Sequence, residues 1–163
     1  MMTTALLYLD KENRKYISLF LENRYTGMLV GGFGCLVVVA PYALLYQGVA
    51  LTDRGGMVDS RLLLPLLTFA MLGNFLEEGL FRGYVLGVLK ERNKPLVAGI
   101  YSGLVFALCH VFLATTVTDI GLPLLFFTLW EGAIAGLIGA KYGLMPATLC
   151  HGGAIFLASS GLF

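Results

Sequence analysis

The stretch NFLEEGLFRGYVLG, Asn74 to Gly87, sets two adjacent glutamates and an arginine inside a run that is otherwise apolar, from RLLLPLLTFAMLG upstream to YVLGVL at its end. A run of this length reads as a membrane-spanning helix, and ionisable groups inside such a helix are costly enough to need a reason. The rest of the chain supports the membrane reading. Its 163 residues are 58% hydrophobic and 13% charged, against about 45–50% and about 25% in average globular chains. A soluble fold of this size has too little interior to hide that much apolar surface. The formal net charge of +1 gives no footprint for a nucleic-acid partner.

A span needs about 20 predominantly apolar residues. Five segments qualify: 26–51, 62–89, 96–118, 121–140 and 142–163. The expected fold is an all-α polytopic transmembrane bundle, with 25–163 as a single domain and no internal repeat. The opening MMTTALLYLDKENRK lacks the basic start and unbroken apolar core of a signal peptide. Residues 1–24 therefore read as an amphipathic segment on the cytoplasmic surface. Lys11, Arg14, Lys15 and Arg24 precede the first span, Lys90, Arg92 and Lys94 follow the second, and Lys141 follows the fourth. The alternate connections hold only Arg54 and Arg61, beside Asp53, Asp59 and Asp119. Lysine and arginine are retained on the cytoplasmic side, so the amino terminus is expected inside and the carboxyl terminus outside.

Pro95 suits the first turn of the third helix, whereas Pro41, Pro65, Pro123 and Pro146 are candidate kinks near span ends. Cys35, Cys109 and Cys150 each lie in an apolar run without a CxxC pair, and are expected as small buried hydrophobes.

On a regular helix with Glu77 at zero, Asn74 falls at about 60°, Glu78 at about 100° and Arg82 at about 140°. These four share one arc, and Glu78 and Arg82 form an i,i+4 pair suited to a salt bridge. That pairing leaves Glu77 without a charge partner in its own helix, as a candidate general base. Gly79, Gly83 and Gly87 fall on the other side, a row that lets another helix approach closely. Gly99 with Gly103, and Gly132 with Gly136, are further close-packing pairs.

Both histidines of the chain, His110 in LVFALCHVF and His151 in LMPATLCHGGAIF, lie inside apolar spans. Counted from the basic ends of their spans, they fall at a depth similar to that of Glu77. A glutamate and two imidazoles within reach of one another can activate a water and stabilise an oxyanion. The same three residues are also a plausible zinc set, although no HxxxH or HExxH spacing is present. Glu131, in LWEGAIAG, has three readings: balancing Arg82, lining a water-filled cavity, or belonging to the site. The structural reading is preferred.

The pattern EExxxR (Glu77, Glu78, Arg82), then FxxxH (Phe106, His110), then a histidine in the last span (His151) resembles the CPBP family. This family comprises CAAX prenyl proteases type II and bacteriocin-processing or immunity proteins, also called Abi; the resemblance covers 62–163. It implies a glutamate-type intramembrane endopeptidase needing no cofactor. Glu77 is then the catalytic base, His110 helps to activate the water and His151 helps to form the oxyanion hole, with Glu78 and Arg82 in support. The family often carries Asn or another polar residue four positions after the last histidine, where this chain has Ile155. Asn74, Glu131 or a backbone amide near Gly152 and Gly153 are the groups available to compensate. The implied partner is a membrane-embedded or membrane-surface peptide or protein, such as a peptide precursor or a carboxy-terminal sorting tail. The implied location is the plasma membrane of a prokaryote. Two other classes stay open: a non-catalytic immunity or scaffold protein, and a small transporter or proton relay.

Overall fold

The computed structural model describes residues 14–45, 47–49, 57–117 and 121–162. Among them no strand occurs; five helices follow one another. Helix α1 spans Arg24–Leu45, α2 spans Ser60–Lys90 and α3 spans Pro95–Val117. Helix α4 spans Leu122–Tyr142 and α5 spans Leu144–Ser160. The first four are long and apolar enough to cross a membrane, and α5 is a shorter apolar helix. Its 17 residues sit at the lower limit for a span, and α1, α2 and α4 all pack around it.

Local chemistry sets the helix ends. The Asn23 side chain accepts from the backbone N–H groups of Tyr25 and Thr26 at 3.0 and 3.3 Å, capping α1. Asp59 does the same for α2, accepting from the Arg61 N–H at 2.9 Å. Pro95 occupies the first turn of α3, as expected. Pro123 and Pro146 likewise fall in first turns, where a missing N–H costs nothing, and Pro65 falls in the first α-helical turn of α2, just after the 3-10 turn Ser60–Leu62, so only Pro41 lies deep inside a helix.

The two glycine pairs on α3 and α4 meet as expected. A Cβ on Gly103 would stand 2.5 Å from the Gly132 carbonyl oxygen, and one on Gly99 would stand 2.6 Å from that of Gly136. In lipid, where burial of apolar surface gives no driving force between helices, such backbone contact is what holds two of them together.

The row on α2 has a different partner. A Cβ on Gly83 would meet Ile17 at 3.1 Å, and one on Gly87 would collide with Tyr16. Gly83 and Gly87 therefore seat the amino-terminal strap and not a helix. Residues 15–23 are irregular, while 1–13 of the expected amphipathic segment lie outside the described residues. The strap binds the α4–α5 turn: Leu144 and Met145 donate backbone N–H groups to the Ser18 and Leu19 carbonyls at 2.9 and 3.1 Å. The first N–H groups of α5 thus find acceptors in the strap, since a helix start has none of its own. Gly143 makes the turn at φ +102°, a conformation that disfavours other residues. Tyr16 also donates its hydroxyl to Glu91 at 2.5 Å, tying the strap to the end of α2.

The cysteine expectation holds in part. Cys35 and Cys150 are buried, but Cys109 is exposed. It shares the outer face of α3 with Leu104 and Leu108, because in a membrane the apolar surroundings lie outside the bundle as well as within it.

Candidate active site

The polar segment of α2 departs from a regular helix. Leu63–Glu78 is α-helical, Gly79–Val85 is π-helical and Leu86–Lys90 is α-helical again. Each π turn carries more residues than an α turn, so positions after Gly79 lag behind the regular 100° spacing. Ser102 from α3 donates its hydroxyl to the Phe81 carbonyl at 2.7 Å, fixing this segment to its neighbour.

The adjacent glutamates take different surroundings. Glu78 is fully buried, and Arg82 Nη1 donates to its Oε1 at 2.5 Å with both side chains inaccessible to solvent. The second Arg82 nitrogen, Nη2, donates to the Gly132 carbonyl at 3.0 Å, and the guanidinium lies 4.5 Å from the centre of the Phe106 ring. His151 Nδ1 stands 2.8 Å from the same Glu78 oxygen. An ionised carboxylate can only accept, so this nitrogen carries the proton. The other ring nitrogen, Nε2, then faces Glu131 Oε2 at 3.6 Å. Glu131 is buried and forms its ion-pair contact with the imidazole of His151, while Arg82 is occupied by Glu78 and Gly132. Buried oxygens Glu78 Oε2 and Glu131 Oε1 and the buried nitrogen Arg82 Nε have no hydrogen-bond partner among the described residues.

Glu77 points elsewhere. Half-buried, it lines a cavity of about 400 Å³ together with Asn74, His110, Thr128, Glu131 and His151. Leu66, Phe69, Leu124, Phe127 and Ile155 supply apolar walls. The sequence-derived set thus divides. Glu77, Asn74, Glu131 and both histidines share one cavity, whereas Glu78 and Arg82 lie behind it in the protein interior. Ile155 makes its wall apolar at the position where a polar group was expected. The Asn74 amide donates to its own helix at the Ala70 carbonyl, 2.7 Å away.

Phe106 organises the histidines. It is completely buried, with ring centroids 4.3 Å from His110 and 5.3 Å from His151. His110 ends the regular part of α3, and its Nδ1–H donates to the Phe106 carbonyl at 2.8 Å. Because a carbonyl only accepts, the neutral ring keeps its lone pair on Nε2, free to accept from a water. Among the described residues, no three His, Cys, Asp or Glu side chains are grouped closely enough to hold a metal ion. Thr128 and Phe81 were not singled out in the sequence. Thr128 lies one α4 turn before Glu131, a spacing that could have suggested it.

No curated protein and no solved structure matches the chain. Residues 59–157 match the family model described as type II CAAX prenyl endopeptidase Rce1-like. That region holds both glutamates of the pair, Arg82, Phe106, Glu131 and the two histidines. Over this stretch, and with apolar helices of membrane-spanning length, the chain belongs to the Rce1-like family of type II CAAX prenyl endopeptidases.

Proposed function

We propose that the protein is a glutamate-type intramembrane endopeptidase that cleaves a membrane-associated polypeptide. The observation that carries this reading is the shared cavity: Glu77, His110, Glu131 and His151 all line one space of about 400 Å³. In the proposed reaction a water lies between Glu77 and His110 Nε2. Glu77 takes its proton as the oxygen attacks the scissile carbonyl carbon. His151, protonated on both nitrogens as an imidazolium between the Glu78 and Glu131 carboxylates, donates from Nε2 to the oxyanion. Collapse of the tetrahedral intermediate breaks the C–N bond, and Glu77 returns the proton to the departing amine. No covalent enzyme intermediate forms. Glu131 supplies the polar partner beside His151 that Ile155 does not.

The test compares wild type with Glu77→Gln, His110→Ala and His151→Ala for cleavage of a membrane-anchored peptide, each variant first shown to be inserted and folded. Loss of cleavage in all three is expected, and undiminished cleavage by Glu77→Gln overturns the mechanism. Cleavage should also survive a strong chelator; loss on chelation and recovery with zinc would favour a zinc-dependent variant built on Glu77, His110 and His151. The second reading is a non-catalytic immunity or scaffold protein. Ile155, which stands where a polar group was expected, and the tie between His151 and Glu78, which suits a packed polar cluster, favour it. It wins if all three variants keep a partner-dependent phenotype.

A further inference from the structure

The cavity that holds Glu77 is directional. From its polar floor it runs toward the end of the bundle where α2 and α4 begin and α5 finishes, passing Leu66, Leu124 and Ser159. Ser159 is exposed, and Phe69 on the rim is 78% exposed. Among the described residues the first half of α2 rests on α5 with no comparable packing against α4, so that the cavity opens sideways between α2 and α4.

The opposite end is closed. Behind the site, the Arg82–Glu78 pair and the buried Phe106 fill the interior. Beyond them lies a separate, smaller cavity of about 180 Å³, lined by Arg82, Lys90 and Gly139 and bordered by Lys15 and Tyr16 of the strap. Backbone hydrogen bonds hold that strap across the α4–α5 turn. The closed end is also the basic one: Arg14, Lys15, Arg24, Lys90, Arg92, Lys94 and Lys141 all belong to it, while the described charges at the open end are Asp59 and Arg61, paired with each other at 3.0 Å. Basic connections stay in the cytoplasm.

We propose that the cavity takes its substrate from the extracytoplasmic side, laterally between α2 and α4, and that the substrate is an apolar stretch of an exported or membrane-anchored polypeptide at the outer end of its membrane segment. The proposal rests on the endopeptidase reading above and adds the side of entry and the class of substrate. The cavity chemistry fits such a chain. Leu66, Phe69, Leu124, Phe127 and Ile155 accept apolar side chains, and the polar groups that act on a peptide bond are confined to the floor.

The experiment places single cysteines in the full-length protein in a Cys109→Ser background, leaving the buried Cys35 and Cys150 in place. Ser159→Cys and Leu124→Cys report the open end, and Lys141→Cys the closed end. A membrane-impermeant maleimide is applied to spheroplasts and to everted membrane vesicles. The expected result is labelling of Ser159→Cys and Leu124→Cys in spheroplasts alone, and of Lys141→Cys in everted vesicles alone. The reverse pattern overturns the proposal whatever the catalytic outcome. A second arm uses two reporters with one membrane anchor and the same apolar segment at its outer or its inner end. Cleavage of the outer reporter alone is expected. If the inner reporter is the one cut, and Glu77→Gln abolishes that cut, the side of entry is wrong while the endopeptidase reading stands. If the labelling is as expected but Glu77→Gln cuts as well as wild type, the mechanism falls and the orientation stands.

Discussion

Neutralising each of the two adjacent glutamates in turn should give opposite phenotypes. Glu78→Gln keeps the shape of the side chain but removes the charge that faces Arg82 and His151. Arg82 is left with its guanidinium at 0% side-chain exposure, already carrying an unpartnered Nε, and with no anion in contact. Leaving one member of a buried ion pair uncompensated costs about 3–5 kcal/mol. Glu77→Gln removes a half-buried carboxylate that has no ion-pair contact, and its effect on stability should stay within about 1 kcal/mol while cleavage is lost. Removing both charges of the pair, as Glu78→Gln with Arg82→Met, should recover most of the lost stability, because the desolvation penalty goes with the charges. Unfolding by titrating SDS into mixed micelles measures all of these. The single tryptophan is a suitable reporter, since Trp130 Nε1–H donates to the Val37 carbonyl at 3.3 Å and so senses separation of α4 from α1. Two results would refute the reasoning: Glu78→Gln unfolding at the wild-type midpoint, or Arg82→Met failing to rescue it.

Two further outcomes test the packing and the helix end. Gly103→Ala should destabilise by about 1–3 kcal/mol or more, because its Cβ would meet the Gly132 carbonyl at 2.5 Å, whereas Gly32→Ala, whose nearest contact is Leu149 at 4.0 Å, should be nearly neutral in the same SDS titration. The Asp59 carboxyl is held below its ordinary value of 3.8 by hydrogen bonds from the Arg61 side chain and backbone. Its contribution to the α2 cap is therefore present above the ordinary carboxylate range and is lost as pH falls through the lowered value. An isotope-edited NMR titration of the four aspartates should show Asp59 protonating at lower pH than an unpaired aspartate, with Arg61→Ala moving it back toward the usual range.

Much of the fold was legible because lipid imposes a simple rule: apolar runs of sufficient length become helices. The five runs fall on the five helices; α1 ends at Leu45, short of the expected 51, and α5 is shorter at both ends, with the turn at Gly143 and the strap at its start. The Glu78–Arg82 pair was legible from i,i+4 spacing, which brings two long side chains together even where the helix widens. The α3–α4 contact was legible from its glycines, since a missing Cβ is a local property that any close neighbour can use. The partner of the α2 glycines was not, because a bare backbone surface accepts an irregular strap as readily as a helix.

The site divides along the same line. Residue types and approximate depths in the sequence named Glu77, His110 and His151, and the buried cost of charge singled out the cluster around them. The tertiary structure alone decided that Glu77 faces a cavity while Glu78 turns inward, that Phe106 and its carbonyl orient His110, and that Glu131 meets His151. These outcomes depend on the rotation of each helix about its axis. The π-helical segment of α2 changes that rotation partway along, and packing between elements up to 73 residues apart completes it. Sequence spacing determines which groups can share a face, and only the packed bundle determines what that face looks toward.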